Sequence, residues 1–220
     1  MTKVDGRAAR WAGQQERRRA EFVDAALEAI AEHGPDVSTE QIAERAGVAR
    51  TRLYRHFDGA ADLQRAIAER AAELVTAELA PLWHPEGSPN EMIATVIATH
   101  LRWLTEHAHL HRYLVRALPS STPEGRPDVR GAIARHLSGL FTGYLTAFGL
   151  DPAPADTIAF GLVGYVESAT TRWLDHPGAL SLEQLTAQLS GTIWAMLDHT
   201  LKQGGVELDP DRPLPLPEGL

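Results

Sequence analysis

Apolar residues recur three and four positions apart along most of the chain, which is the spacing of amphipathic α-helices. The first stripe runs from Phe22 to Ile30, and Gly34-Pro35 ends it. Later stripes predict a long helix from Ala60 to Leu82, and helices near 92–104, 110–118, 129–148, 155–174 and 181–201. No segment alternates apolar and polar residues as a strand does. The sequence therefore predicts an all-α fold.

Two shorter helices are predicted between residues 38 and 57. Ser38 to Gln41 has the composition of a capping box, and Gly47 suits the end of the helix that follows it. A second short helix is predicted from Ala49 to His56, with Leu53 and Phe57 facing inward. Two short helices joined by a turn and packed on a longer one form a helix-turn-helix.

The net charge of −8 is unevenly distributed. Residues 1–60 contain ten basic and ten acidic residues, so the excess negative charge lies in 61–220. Within the first part, Arg45 to Phe57 holds four arginines and no acid. Such a patch can bind a phosphate backbone, because screening limits the influence of distant charges. The alternative is an ordinary solvated helix face.

Composition excludes several functions. Without cysteine the chain has no disulfide, thiolate metal site or cysteine nucleophile. No apolar run approaches the roughly 18 residues of a membrane span, and the polar N-terminus lacks a signal-peptide core. Neither Gly-x-Ser-x-Gly nor a P-loop occurs. We therefore expect a cytoplasmic protein that is not an enzyme and uses no cofactor. The histidine stripe His100, His107 and His111 is expected to hold no metal.

The stretch STEQIAERAGVARTRLYRHF, Ser38 to Phe57, resembles the helix-turn-helix signature of the TetR family of bacterial transcriptional regulators. The Ile-Ala pair, Ala-Gly-Val and Leu-Tyr-x-His-Phe carry the resemblance, which extends over about residues 15–65. It implies a dimer that binds a palindromic operator through its N-terminal domains. It also implies a C-terminal ligand-binding domain, in which a ligand shifts the fourth helix and separates the two DNA-binding domains.

The resemblance also assigns residues to DNA. Arg50, Thr51 and Tyr54 would face bases in the major groove, and Thr39, Arg52 and His56 would lie near phosphates. The remaining members of the predicted DNA-binding set are Ser38 and Arg55. Two positions depart from the family pattern: Ala60 stands where a lysine is usual, and Glu40 places an acid on the DNA side.

We predict four segments: a flexible arginine-containing arm at 1–14, a DNA-binding domain at 15–60, a ligand-binding and dimerisation domain at 61–203, and a proline-rich tail at 204–220. The arginine-rich lead from Arg7 to Arg19 could reach the adjacent groove of the DNA, and a disordered, solubilising end is the alternative. We expect the tail to be extended or disordered. The predicted function is an effector-released repressor. The alternative is a helical ligand-binding or interaction protein that has lost DNA binding.

The C-terminal helices carry many aromatic residues, which are more often core than ligand contacts. A small apolar or aromatic effector could still bind between them. We select Trp103, Tyr144 and Tyr165 because each adds a polar group to an apolar ring. The last two helices have broad apolar stripes, and Gly161 and Gly164 would allow close approach of a second chain. Burial of both faces within one chain is the alternative to this twofold dimer.

Overall fold

The computed structural model describes residues 6–83, 86–117, 129–176, 178 and 180–214. These residues contain no strand, and the all-α prediction is confirmed. The helices are α1 (Gly6–His33), α2 (Thr39–Arg45), α3 (Arg50–Leu53), α4 (Gly59–Leu79), a 3-10 turn (Ala80–Trp83), α5 (Pro89–Glu106), α6 (Ala108–Ala117), α7 (Val129–Ala147), α8 (Ala155–Asp175) and α9 (Leu182–Gln203).

The chain forms two compact units. The first unit is Met1–Glu73 with His107–Pro127, and the second unit is Leu74–Glu106 with Asp128–Leu220. This division differs from the single boundary predicted after residue 60. The reason is that α6 packs on α1 and that the first turns of α4 bury Leu63 and Ile67.

The N-terminal segment differs from the predicted arm. Residues from Gly6 onward belong to α1, which continues without a break to His33. Alanine, glutamine, glutamate and arginine dominate its first half, and these residues have high helix propensity. Only residues 1–5 of the predicted arm lie outside the described residues.

The helix-turn-helix forms at the predicted place. The Ser38 side chain accepts a hydrogen bond from the Gln41 backbone at 3.2 Å, and Gln41 Oε1 accepts one from the Ser38 backbone at 2.8 Å. The capping box is therefore confirmed. Gly47 takes a φ of +65°, a left-handed conformation that favours glycine.

The second short helix is shorter than the predicted 49–56. It ends as α3 at Leu53, and the chain continues in tighter turns in which Arg55 and His56 donate to the carbonyls of Arg52 and Leu53. These bonds span three residues, as in a 3-10 helix. Phe57, which follows these turns, is buried.

The core of the first unit follows the predicted apolar stripe. Phe22, Val23, Ala26 and Ile30 of α1 are buried, as are the inward residues of the helix-turn-helix, which are Ile42, Ala43, Leu53 and Phe57. Packing of α1 on α2, and of α2 on α3, fixes the angle at which α3 is presented.

The core of the second unit is formed mainly by α5, α8 and α9. Ile97 and Leu101 of α5 pack with Leu162 of α8 and with the α9 residues Leu185, Leu189 and Ile193. The second capping box, Ser181 to Gln184, starts α9 as predicted.

Residues 206–209 of the tail form neither helix nor strand, but the described part of the tail is packed rather than disordered. Val206 and Leu208 pack against a small cluster of Leu145, Ala155 and Leu201. Farther along, the Pro210 carbonyl accepts a hydrogen bond from the Asn90 backbone at 3.0 Å, and Leu214 donates to the Gly87 carbonyl. Residues 204–214 are therefore docked, because two apolar side chains and several backbone groups find partners. Residues 215–220 lie outside the described residues.

Candidate nucleic-acid interface

The short helix α3 directs basic and polar side chains outward. Leu53 is fully buried, whereas Arg50, Thr51, Arg52 and Arg55 are exposed. A helix of this size fits the major groove, where arginine can bind the edge of guanine and the threonine methyl can contact thymine. The predicted candidates are thus on one accessible surface, together with the half-buried Tyr54.

Four of the side chains on this surface form a closed ring, which we call the reading quartet: Thr39, Glu40, Arg50 and Tyr54. Arg50 Nη1 donates to Glu40 Oε1 at 2.5 Å, and its guanidinium carbon lies 5.5 Å from the centre of the Tyr54 ring. The Tyr54 hydroxyl donates to Thr39 Oγ1 at 3.3 Å. The ring joins the first turn of α2 to both ends of α3.

The arginines of this surface differ in whether a carboxylate already pairs with them. Hydrogen bonding to Tyr54 and the charge of Glu40 raise the pKa of Arg50, so that side chain is cationic but already paired. Arg45 is paired too, with Glu28 at 2.7 Å and Glu32 at 3.0 Å. Arg52 and Arg55 have no ion pair with any residue that the structure describes. These two are the cations most available to phosphates.

His56 has a packing role in addition to any contact with DNA. Its ring meets the Phe22 ring edge to face, with 5.1 Å between the centres, and it is only half exposed. Its carbonyl accepts a hydrogen bond from Arg19 Nη1 at 2.7 Å. The stretch from Arg50 to Phe57, which we call the recognition segment, is thereby tied to α1 near its C-terminal end.

Arg19 forms the centre of a cluster that residue spacing did not predict. It binds both carboxylate oxygens of Asp62, at 2.8 and 2.9 Å, and its guanidinium lies 4.4 Å from the centre of the Phe57 ring. Asp62 also accepts a hydrogen bond from the Asp58 backbone at 3.0 Å. This Arg19–Asp62 clamp connects α1, the turn after α3 and the start of α4.

The clamp changes the acidity of Asp62. Hydrogen bonding from Arg19 lowers the pKa of its carboxyl from 3.8 to about 2, against a smaller opposing effect of burial. The same bond raises the pKa of Arg19. Both side chains are mostly shielded from water, at 28% and 15% exposure, so the pair is stronger than a surface ion pair.

Two further positions bear on DNA contact. The Ser38 hydroxyl is exposed while it caps α2, so its hydrogen remains able to donate to a phosphate oxygen. Ala60, in the first turn of α4, is exposed and carries no charge.

The candidate effector residues all lie in the second unit. Trp103 is buried on α5, and Tyr165 packs against the core formed by α5, α8 and α9. Tyr144 stacks on Phe148, with 6.3 Å between ring centres, and burial raises the pKa of its hydroxyl. Among the described residues, neither the buried Tyr144 hydroxyl nor that of Ser190 has a hydrogen-bond partner. Ser190 was not predicted, since a serine between apolar residues has no distinguishing spacing.

The described part of the chain contains no group of three or more histidine, aspartate or glutamate side chains placed to hold a metal ion. None of its helices is both long enough and apolar enough to cross a membrane.

Known proteins are similar to this chain in the helix-turn-helix region and also over nearly its full length. The model for "Bacterial regulatory proteins, tetR family" matches residues 22–67, from α1 to α4. An HTH-type transcriptional regulator of Mycobacterium tuberculosis is 29% identical over 218 residues, which cover 98% of this chain and 92% of the relative.

Solved structures show the same fold. A TetR-family regulator from Streptomyces coelicolor superposes with a TM-score of 0.68 at 21% identity, covering 86% of this chain and 83% of the other. The regulator FadR from Bacillus subtilis, in complex with stearoyl-CoA, gives 0.60 at 23% identity, covering 81% and 96%. The helix-turn-helix, the full-length relative and the shared fold agree: residues 22–67 match the DNA-binding domain of the TetR family, and the chain is similar over nearly its whole length to HTH-type transcriptional regulators.

Proposed function

We propose that the protein binds a palindromic operator as a homodimer and represses transcription until a small apolar or aromatic effector binds in the second unit. The observation that carries the DNA part is the outward surface of α3. It combines two available cations, Arg52 and Arg55, with the reading quartet. Phosphate contacts position a protein on DNA, whereas base contacts select the sequence.

In this proposal Arg50, Thr51 and Tyr54 face bases, while Ser38, Thr39, Arg52, Arg55 and His56 lie near the backbone. The Arg19–Asp62 clamp gives a route for control, because it ties the first turn of α4 to the turn that follows α3. A shift of α4 would therefore move the recognition segment.

The effector part is supported by two hydroxyls. Tyr144 and Ser190 bury polar atoms that have no described hydrogen-bond partner, and such atoms are rare unless a water or ligand satisfies them. Trp103 and Tyr165 would supply apolar surface. Long-chain acyl-CoA is a reasonable first molecule to screen, because the Bacillus subtilis regulator was solved with stearoyl-CoA.

The first experiment is an electrophoretic shift with DNA from upstream of the protein's own gene, at two salt concentrations. We expect a sequence-specific complex that weakens steeply with salt. The Tyr54→Ala variant should lose this complex but remain a dimer. Retained operator binding by that variant would contradict the groove assignment.

The second candidate function is an interaction protein that has lost DNA binding. The uncharged Ala60 and the acidic Glu40 favour it. The absence of any shift at low salt, including with DNA selected from a randomised pool, would support this candidate.

A further inference from the structure

Glu40 is the one acid of the reading quartet, whose other members, Thr39, Arg50 and Tyr54, are neutral or basic. It is the second residue of α2, and its side chain is 61% exposed. An exposed ion pair adds little to folding stability, because water screens it and two long side chains must be ordered. A role in holding the fold therefore does not account for this acid.

The position of Glu40 suits base recognition. Its carboxylate contacts the guanidinium of Arg50, the first residue of α3, and Arg50 lies in turn against the Tyr54 ring. Arginine binds guanine O6 and N7 through two parallel hydrogen bonds, so its orientation decides whether both form. Carboxylates accept hydrogen bonds from the exocyclic amine of cytosine.

We propose that Glu40 is a specificity-determining residue, which orients Arg50 for a guanine and accepts a hydrogen bond from the amine of a neighbouring cytosine. This inference rests on the proposed DNA-binding function. The same carboxylate repels phosphates, so it weakens binding to DNA that lacks the matching bases. Glu40 thus lowers nonspecific affinity while supporting affinity for the operator.

The test compares the full-length wild type with Glu40→Ala and with a matched control, Glu28→Ala. Glu28 is equally exposed, at 60%, and is also paired with an arginine in the first unit, Arg45. Both variants lose one negative charge, but only Glu40 belongs to the reading quartet. An operator is first obtained by selecting duplexes from a randomised pool with the wild type.

Dissociation constants are then measured for this operator and for a shuffled duplex of the same composition, at one salt concentration. For Glu40→Ala, we expect the dissociation constant of the shuffled duplex divided by that of the operator to fall about tenfold, the lower range for one lost base contact. The shuffled duplex should bind more tightly. The Glu28→Ala control should keep the ratio of the wild type, and thermal unfolding confirms that both variants fold.

A second selection, with Glu40→Ala as the bait, should lose the preference for cytosine at one position in each half-site. An unchanged preference and an unchanged affinity ratio would overturn the inference while DNA binding stands. If the wild type selects no sequence, the proposed function fails, and the role of Glu40 fails with it.

Discussion

At the scale of single residues, the carboxylate of Asp62 shows how one side chain joins several elements. It binds Arg19 of α1 through both oxygens and accepts a hydrogen bond from the Asp58 backbone. The lowered pKa means that the folded state favours the charged form. The clamp therefore stabilises the first unit above about pH 4, and this stabilisation is lost as the pH falls towards 2.

Asp62→Asn should lower the free energy of unfolding by roughly 2 kcal/mol at pH 7, the equivalent of the pKa difference. At pH 3 the loss should be about half as large, since part of the wild-type contribution has already disappeared. Urea unfolding at both pH values measures this, and hydrogen exchange of residues 15–33 and 59–73 locates it.

Asp24→Asn is the matched control for this change. Asp24 is paired with Arg70 at 3.2 Å, but 55% of its side chain is exposed, so its removal should have a much smaller effect. Equal losses from the two variants, or a loss from Asp62→Asn that does not depend on pH, would contradict the role of the clamp.

At the scale of elements, the two capping boxes allow the fold of α2 to be separated from its function. Ser38 and Ser181 make the same pair of hydrogen bonds, at 2.8 and 3.2 Å and at 2.8 and 3.1 Å. Replacing either serine with alanine should cost about 1 kcal/mol of stability. Only Ser38→Ala should also weaken operator binding, because α2 carries half of the reading quartet.

Unfolding curves and operator titrations of the two variants measure these effects. Ser181→Ala supplies the control for a general loss of stability, since α9 lies in the second unit. An operator affinity unchanged by Ser38→Ala would show that the start of α2 takes no part in DNA binding.

The elements also show which features residue spacing can predict. Both capping boxes were predictable, because their partners lie three residues apart, and the buried stripe of α1 follows from its 3.6-residue period. The end of α3 was not, since tertiary burial of Phe57 tightens the last turn. The Arg19–Asp62 clamp joins residues 43 positions apart and has no local signal.

The tail shows what composition does not predict. Its prolines suggested an extended or disordered end, and the structure shows an irregular segment that is ordered, because Val206 and Leu208 pack on Leu145 and Leu201. Short apolar segments become ordered when a complementary surface exists elsewhere, and composition alone does not show that surface.

We expect the double variant Val206→Ser/Leu208→Ser to lose roughly 2 kcal/mol of stability, because two partly buried apolar side chains become polar. The control Arg212→Ala changes a tail residue that is 83% exposed, and it should be neutral. Denaturant unfolding of the full chain distinguishes them. A neutral double variant would show that the docked tail adds nothing to stability.

At the scale of the whole molecule, the second unit leaves large apolar side chains in contact with solvent. Phe160 of α8 is 44% exposed and Met196 of α9 is 45% exposed. Beside Phe160, a Cβ added at Gly161 or Gly164 would meet no atom within 4 Å. The exposed faces of α8 and α9 therefore fit the proposed dimer, in which the same two helices of a second chain would cover them.

Phe160→Glu should raise the monomer–dimer dissociation constant by about 100-fold or more, because each interface would bury two unpaired carboxylates. Operator affinity should fall as well, although the substitution lies outside the helix-turn-helix, because one recognition helix contacts too few bases to bind tightly alone.

The control is Val115→Glu on α6, which adds the same charge at another exposed apolar residue, 53% accessible. Sedimentation velocity over a range of concentrations measures the association of both variants. If Phe160→Glu stays dimeric, the chains associate through another surface. If it becomes monomeric and still binds the operator as the wild type does, a single chain is sufficient for recognition.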